Sequence, residues 1–150
     1  MTTYLLDANY LISLLDEARA PDIRRPVLED FRTKLNDGNS RFVLTPLIRY
    51  EVLRGVPWES EEKFQRMEKA LSGFELLEIT QTVADLARDL YRFDDFEARQ
   101  KNESRNLERR KFDIFHYATA KIYQLELLSA DKDFSAIEAL HQRVEAAQKN

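Results

Sequence analysis

Short apolar runs alternate along this chain with segments whose apolar residues recur every three or four positions. The first run, Thr3 to Leu6 in "TYLL", predicts a buried strand. From Asn9 to about Glu17 the periodicity becomes helical, with Leu11, Ile12, Leu14 and Leu15 on an apolar face. "ARAPDIRRP" reads as a proline-punctuated link, and Val27 to Asn36 as a helix that ends at the turn signal "NDGNS". Arg41 to Thr45, "RFVLT", predicts a second strand. Thr45 is then placed to cap a helix with Pro46 in its first position and Gly55 just past its end. Glu59 to Leu71 predicts a charged amphipathic helix and Phe74 to Ile79, "FELLEI", a third strand. Thr80 caps a helix running through "VADLARDLYRF". Residues 94–111 are polar and charged. Phe112 to Gln124 predicts a helix, Leu125 to Ser129 a fourth strand, and Ser135 to about Ala147 a terminal helix. Strands that alternate with helices and read as continuous apolar runs imply an α/β sandwich with a mostly parallel sheet. With 150 residues, no repeat and no composition break, one domain spanning 1–150 is expected.

This pattern gives the acids their interest. In an open parallel sheet, ligands sit outside the carboxyl ends of the strands. Asp7 ends the first strand, and Asp131 and Asp133 follow the fourth in "LLSADKDF". Glu51 shares a helix face with Leu47 and lies beside Ile48 and Val52, so it borders a buried stripe, while Arg49 and Arg54 point to solvent. Asp113 opens a helix whose stripe is Ile114, Ala118, Ile122 and Leu125, where the helix dipole favours its charge. Acids gathered at one rim repel one another, and a divalent cation relieves the repulsion. Oxygen donors suit Mg²⁺ or Mn²⁺, and such a centre suits phosphodiester hydrolysis. Each acid also has a plainer reading. Asp7 serves as a helix cap, Glu51 as an ion-pair member, and Asp113 and Asp133 as acids at helix starts. It is their joint placement that points to a site.

Composition narrows the field without changing it. The absence of cysteine excludes disulfides and thiolate metal sites. A formal net charge of −4 argues against a binder that holds nucleic acid by bulk charge alone. Met1 to Tyr4 carries no basic residue and Asp7 interrupts the apolar run, so the start does not read as a signal peptide. No segment approaches the ~20 apolar residues of a membrane helix. A cytoplasmic protein is expected.

"YLLDANYLI", "LTPLIRYEVLRG", "FDIFHYATA" and "LLSADKDF" together resemble, in order and rough spacing, the successive motifs of PIN-domain ribonucleases, in particular VapC-type toxins of toxin–antitoxin pairs. The resemblance spans Thr3 to Phe134. It implies a PIN-like three-layer sandwich with a central sheet of four to five strands flanked by helices. It implies that Asp7, Glu51, Asp113 and Asp131 are the catalytic and metal-holding acids, with Asn9 and Ser129 close by. It implies Mg²⁺- or Mn²⁺-dependent cleavage of tRNA, rRNA or mRNA, a homodimer, and a small antitoxin protein as partner. The chain departs from the family pattern at Ala8, where Thr is common, at "RY" before Glu51, and in the long charged stretch before Asp113.

That stretch, "RQKNESRNLERRK", holds Arg99, Lys101, Arg105, Arg109, Arg110 and Lys111 against two glutamates. It reads either as a guide for an RNA backbone or as a solvated helical face with internal ion pairs. His116, three residues after Asp113, is a packed helix histidine or a group near the site. Tyr50 and Tyr117 are candidates to stack on a base, or are plain core-edge aromatics. Besides a toxin nuclease, three other readings stay open: a solitary PIN nuclease, a phosphoryl-transfer enzyme working through an aspartyl intermediate at Asp7, and a PIN-like module that only binds a partner. The second would want an acid at position 9, where the chain has Asn9.

Overall fold

The computed structural model describes residues 1–104, 107–130 and 134–149, without the side chains of Glu108 and Arg109. The chain divides into two compact units, Met1–Glu78 with Leu125–Lys132, and Ile79–Gln124 with Asp133–Asn150.

The first unit holds the sheet. Its elements are β1 (Thr2–Leu6), α1 (Ala8–Leu15), α2 (Pro21–Asn36), β2 (Ser40–Leu44), α3 (Pro46–Arg54), α4 (Glu61–Leu71), β3 (Glu75–Leu76) and, after a long excursion of the chain, β4 (Glu126–Leu128). The strand order is β3-β2-β1-β4, and every pair is parallel. Strand β1 pairs Leu5 with Val43 on one side and Leu6 with Leu128 on the other. Leu5, Leu6, Val43 and Leu44 are fully buried, as the unbroken apolar runs require. Ile48 and Val52 of α3, Leu11 of α1 and Leu71 of α4 complete this core. The Thr45 hydroxyl accepts from the Ile48 amide at 3.2 Å, and Pro46 takes the first helical position, as the sequence predicts.

Two expectations for this unit change. Residues of the supposed proline link are helical, because α2 begins at Pro21. There a missing N–H costs nothing, and the loss of one further bond at Pro26 is tolerated. The extra turn carries Arg24, whose guanidinium donates to the Leu14 carbonyl at the end of α1. The six-residue strand expected at Phe74–Ile79 contracts to Glu75–Leu76, since β2 offers no strand residue beyond Leu44. The Leu77 amide makes the last ladder bond to the Leu44 carbonyl at 2.7 Å.

The second unit is helical: α5 (Gln81–Gln100), α6 (Leu107–Tyr123) and α7 (Ser135–Gln148). Thr80 caps α5 through the Val83 amide. Val83, Ala87, Leu90, Ile114, Ala118 and Leu140 form its core with Ile137, Tyr117 and Val144. The charged stretch is largely helical as well. Helix α5 runs past Phe93 because its buried stripe continues through Asp94 and Ala98, and α6 begins at Leu107. Asp94 is 1% exposed and accepts from Arg110 at 2.9 Å, so an ion pair ties the end of α5 to the start of α6. Ile122, expected in the stripe, is exposed instead, while Tyr117 is buried in the core.

Tyr10 anchors α1 to α2 by donating to Asp30 at 2.8 Å, and Lys34 donates to the same carboxylate. Burial pushes the Asp30 carboxyl up, but the Lys34 and Tyr10 hydrogen bonds and the Lys34 charge outweigh it, and its pKa ends below the usual value. A carboxyl whose folded pKa is depressed stabilises the fold fully above its unfolded pKa of about 4 and ceases to do so as pH falls through the lower folded value. Chemical-denaturation curves taken from pH 6 down to pH 2 should therefore show a loss of stability below about pH 4 that Asp30→Asn reduces. An unchanged pH profile in that variant would show that Asp30 does not supply it.

Candidate functional site

The parallel pairing of β1 with β4 decides where Asp7 lies. Leu6 stands opposite Leu128, so the next residues, Asp7 and Ser129, leave the sheet side by side at its carboxyl edge. The Asp7 amide donates to the Leu128 carbonyl at 2.8 Å. Asp7 occupies the N-cap position of α1 with an extended backbone, yet its side chain makes no capping hydrogen bond. The plainer reading of this acid therefore fails on its own terms. Its carboxylate is 0% exposed. A carboxylate withdrawn from water is costly unless a hydrogen bond or a cation compensates it.

Ser129 Oγ lies 3.3 Å from Asp7 Oδ2 and 3.1 Å from Asn9 Oδ1, while the Ala130 amide donates to the same Asn9 oxygen at 3.2 Å. One hydroxyl carries one proton, so Ser129 divides it between the two acceptors. Asn9 thus clamps the end of β4 to the first turn of α1, and Ser129 stands in the clamp facing the carboxylate. Both residues were expected close to Asp7, and the structure brings all three together.

The other acids meet varied outcomes. Glu51 sits on α3 half-buried, beside the buried Ile48 and Val52, as its spacing predicts. Arg54 is exposed as expected. Arg49 instead pairs with Glu68 of α4 at 3.2 Å. Asp113 is half-buried on α6 but is its seventh residue, because the helix starts at Leu107. It lies beyond the first turn, so the helix dipole does not stabilise its charge as expected. Asp131 and Asp133 lie outside the described residues, as does Arg105. Among the described residues, no three of His, Cys, Asp and Glu are grouped to hold a metal ion.

The charged stretch divides. Arg99 pairs with Asp95 one turn away on α5 at 3.0 Å, the arrangement of a solvated helical face. Lys101 ends α5 and is exposed. Arg110 is held by the buried Asp94, and the Lys111 ammonium lies 5.5 Å from the centre of the Phe112 ring. Arg109 is on α6, its side chain outside the description. His116 is buried, as a packed helix histidine is. Tyr117 is buried too and shares a hydrogen bond with His141 Nδ1 at 2.9 Å, which removes it as a stacking surface. Tyr50 is open, with the Arg54 guanidinium 5.5 Å from its ring centre. Asp94 is the acid that sequence reasoning missed. Its signal was present, since positions 83, 87, 90, 94 and 98 form one helical stripe and only Asp94 in it is charged.

The donors that Asp7 and Ser129 offer are oxygens, a carboxylate and a hydroxyl, since the Asn9 oxygen is engaged by Ser129 and Ala130. Such a set fits a hard divalent cation, Mg²⁺ or Mn²⁺, and not a soft one.

A parallel sheet with a buried acid at the end of an inner strand defines an α/β protein with a candidate site at the strand ends. More specifically, the chain belongs to the PIN domain family, whose model matches residues 4–140. No curated protein matches it in sequence. Among solved structures it is similar to a chain of the VapBC2 complex of Rickettsia felis bound to a promoter DNA fragment. The two are 19% identical, with 91% of this chain and 93% of that one covered and a TM-score of 0.62. It is similar to a chain of a toxin–antitoxin complex from Klebsiella pneumoniae, at 23% identity, 87% and 89% coverage and a TM-score of 0.55. It is also similar to a chain of VapBC-5 from Mycobacterium tuberculosis, at 18% identity, 91% coverage of both and a TM-score of 0.53. At these identities what is shared is the fold. No helix among the described residues is long and apolar enough to cross a membrane.

The clamp makes its own prediction. Asn9→Ala removes the acceptor of two hydrogen bonds and should cost about 1–2 kcal/mol in urea unfolding. It should also speed amide exchange at Ala130. Unchanged exchange at Ala130 would show that β4 is held by its ladder alone.

Proposed function

We propose that this protein is a VapC-type, Mg²⁺- or Mn²⁺-dependent endoribonuclease, the toxin of a toxin–antitoxin pair that acts as a homodimer. The observation that carries the reading is Asp7, a fully buried carboxylate in a capping position where it does not cap, at the end of an inner parallel strand. Membership of the PIN domain family supports nuclease chemistry, and likeness to chains of toxin–antitoxin complexes supports a small antitoxin as the partner.

In this reading Asp7 holds the cation. Glu51, Asp113 and Asp131 are the further acids that the family resemblance assigns to it. The ion, when bound, neutralises charge on the scissile phosphate and lowers the pKa of the attacking water. Ser129 keeps the Asp7 carboxylate oriented through its hydroxyl, and Asn9 keeps Ser129 in place. Leu5, Leu6, Ala8 and Leu11, close to it along the chain, are buried, and the carboxylate itself is withdrawn from water, which strengthens its attraction for a cation. Asn9 spends its carbonyl oxygen on Ser129 and Ala130, which gives position 9 no acid to serve an aspartyl-phosphate mechanism.

Asp7→Asn conserves shape and removes the charge. With Mn²⁺ and a structured RNA, cleavage by this variant should fall by at least about 10³-fold, while its circular dichroism and melting temperature stay at or above those of the wild type. Full activity in Asp7→Asn would sink the assignment. Loss of activity together with loss of fold would mark Asp7 as structural instead.

A further inference from the structure

The single tryptophan of the chain, Trp58, stands between α3 and α4 and is 95% exposed. An indole this open leaves a large apolar surface in water, and aromatics of this kind are the usual anchors of protein interfaces. Its neighbours in "PWESEE" are Glu59, Glu61 and Glu62, all exposed. These acids would repel an RNA backbone. They suit a partner that offers an apolar socket with cations around it.

The second unit carries such a socket. A cavity of about 310 Å³ lies between α5 and α6. Its floor is apolar, made by Ala84, Ala87, Ile114 and the rings of Tyr91 and Phe115. The two alanines are small, so the gap between the helices stays open. Three cations, Arg88, Arg92 and Lys111, stand around it, and no acid lines it among the described residues. Arg88 pairs with Asp85 and Asp89 of its own helix, but those contacts are largely exposed and weak. The apolar floor offers few groups for the edge of a nucleobase to hydrogen-bond, whereas an indole needs few.

We propose that Trp58 of one copy of this chain docks in the α5–α6 cavity of a second copy, with Glu59, Glu61 and Glu62 against Arg88, Arg92 and Lys111. In a two-fold pair the contact is made twice, which a stable interface requires, because one aromatic knob buries far less than the roughly 1,200 Å² of a standard interface. This gives the proposed homodimer its contact surface and rests on that part of the proposed function, not on the nuclease chemistry.

The test uses the full chain. Trp58 is the sole indole, so the emission comes from this residue alone. Emission should shift to the blue as concentration rises, in step with dimer formation seen by sedimentation velocity. Arg88→Glu with Arg92→Glu should return the protein to monomer with red-shifted emission, and adding Glu61→Arg with Glu62→Arg should restore both signals. Trp58→Ala should weaken dimerisation at least tenfold. A dimer of unchanged strength in Trp58→Ala would overturn this contact and leave the homodimer standing on another surface. A monomer at all concentrations would overturn both. Quenching of Trp58 by a single-stranded RNA oligonucleotide, with no effect of concentration, would assign the indole to nucleic acid instead.

Discussion

Strand β1 has a parallel partner on each side, and the site depends on that register. β2 pairs with it from the chain's next strand, and β4 returns from more than a hundred residues away. Because the three strands run the same way, their carboxyl ends share one edge. Asp7, Thr45 and Ser129 are the first residues beyond those ends. A slip of one residue in the β1–β4 pairing would turn Ser129 away from Asp7, since side chains alternate across a strand. The Asp7 amide closes that ladder with its bond to the Leu128 carbonyl, and the Asn9 clamp adds to it from outside. β4 has only three residues, so these added bonds matter to it more than they would to a longer strand.

The same arrangement sets Asp7 apart from an ordinary helix cap. A carboxylate at a helix N-cap ordinarily accepts from the helix amides and is partly solvated. Here the side chain is buried, does not cap, and has a serine hydroxyl directed at it. Proteins retain costly buried charge chiefly where function uses it. The capping at β2 shows the contrast: Thr45, at the corresponding place after a neighbouring strand, bonds to the Ile48 amide and does the ordinary work of a cap.

Local signals made much of this legible in the sequence. The runs Thr3–Leu6 and Arg41–Thr45 announced buried strands, Thr45–Pro46 and Thr80 announced helix starts, and Asp7 stood out as an acid at a strand end, while Asn9 and Ser129 followed from the motif resemblance alone. What escaped depended on partners distant in sequence. Helix α5 outruns its expected end because Asp94 meets Arg110, sixteen residues on, and that pair turns a charged stretch into packed helix. The same extension of α6 moved Asp113 out of the first turn. Strand β3 shrank because its length is set by where β2 stops, a fact absent from "FELLEI" itself. Proline punctuation misled at α2, where both prolines fall in the first two turns and the helix accommodates them. Asp131, Asp133 and Arg105 lie outside the described residues.

The central claim is that the buried Asp7 carboxylate exists to hold a divalent cation. Anomalous diffraction from crystals grown with Mn²⁺, collected at the manganese edge, addresses it directly. A cation held by Asp7 should give a peak about 2.2 Å from one of its carboxylate oxygens, a distance typical of hard cations bound by oxygen, and no such peak in Asp7→Asn. A fully occupied manganese elsewhere, with Asp7 contacting protein atoms alone, would contradict it.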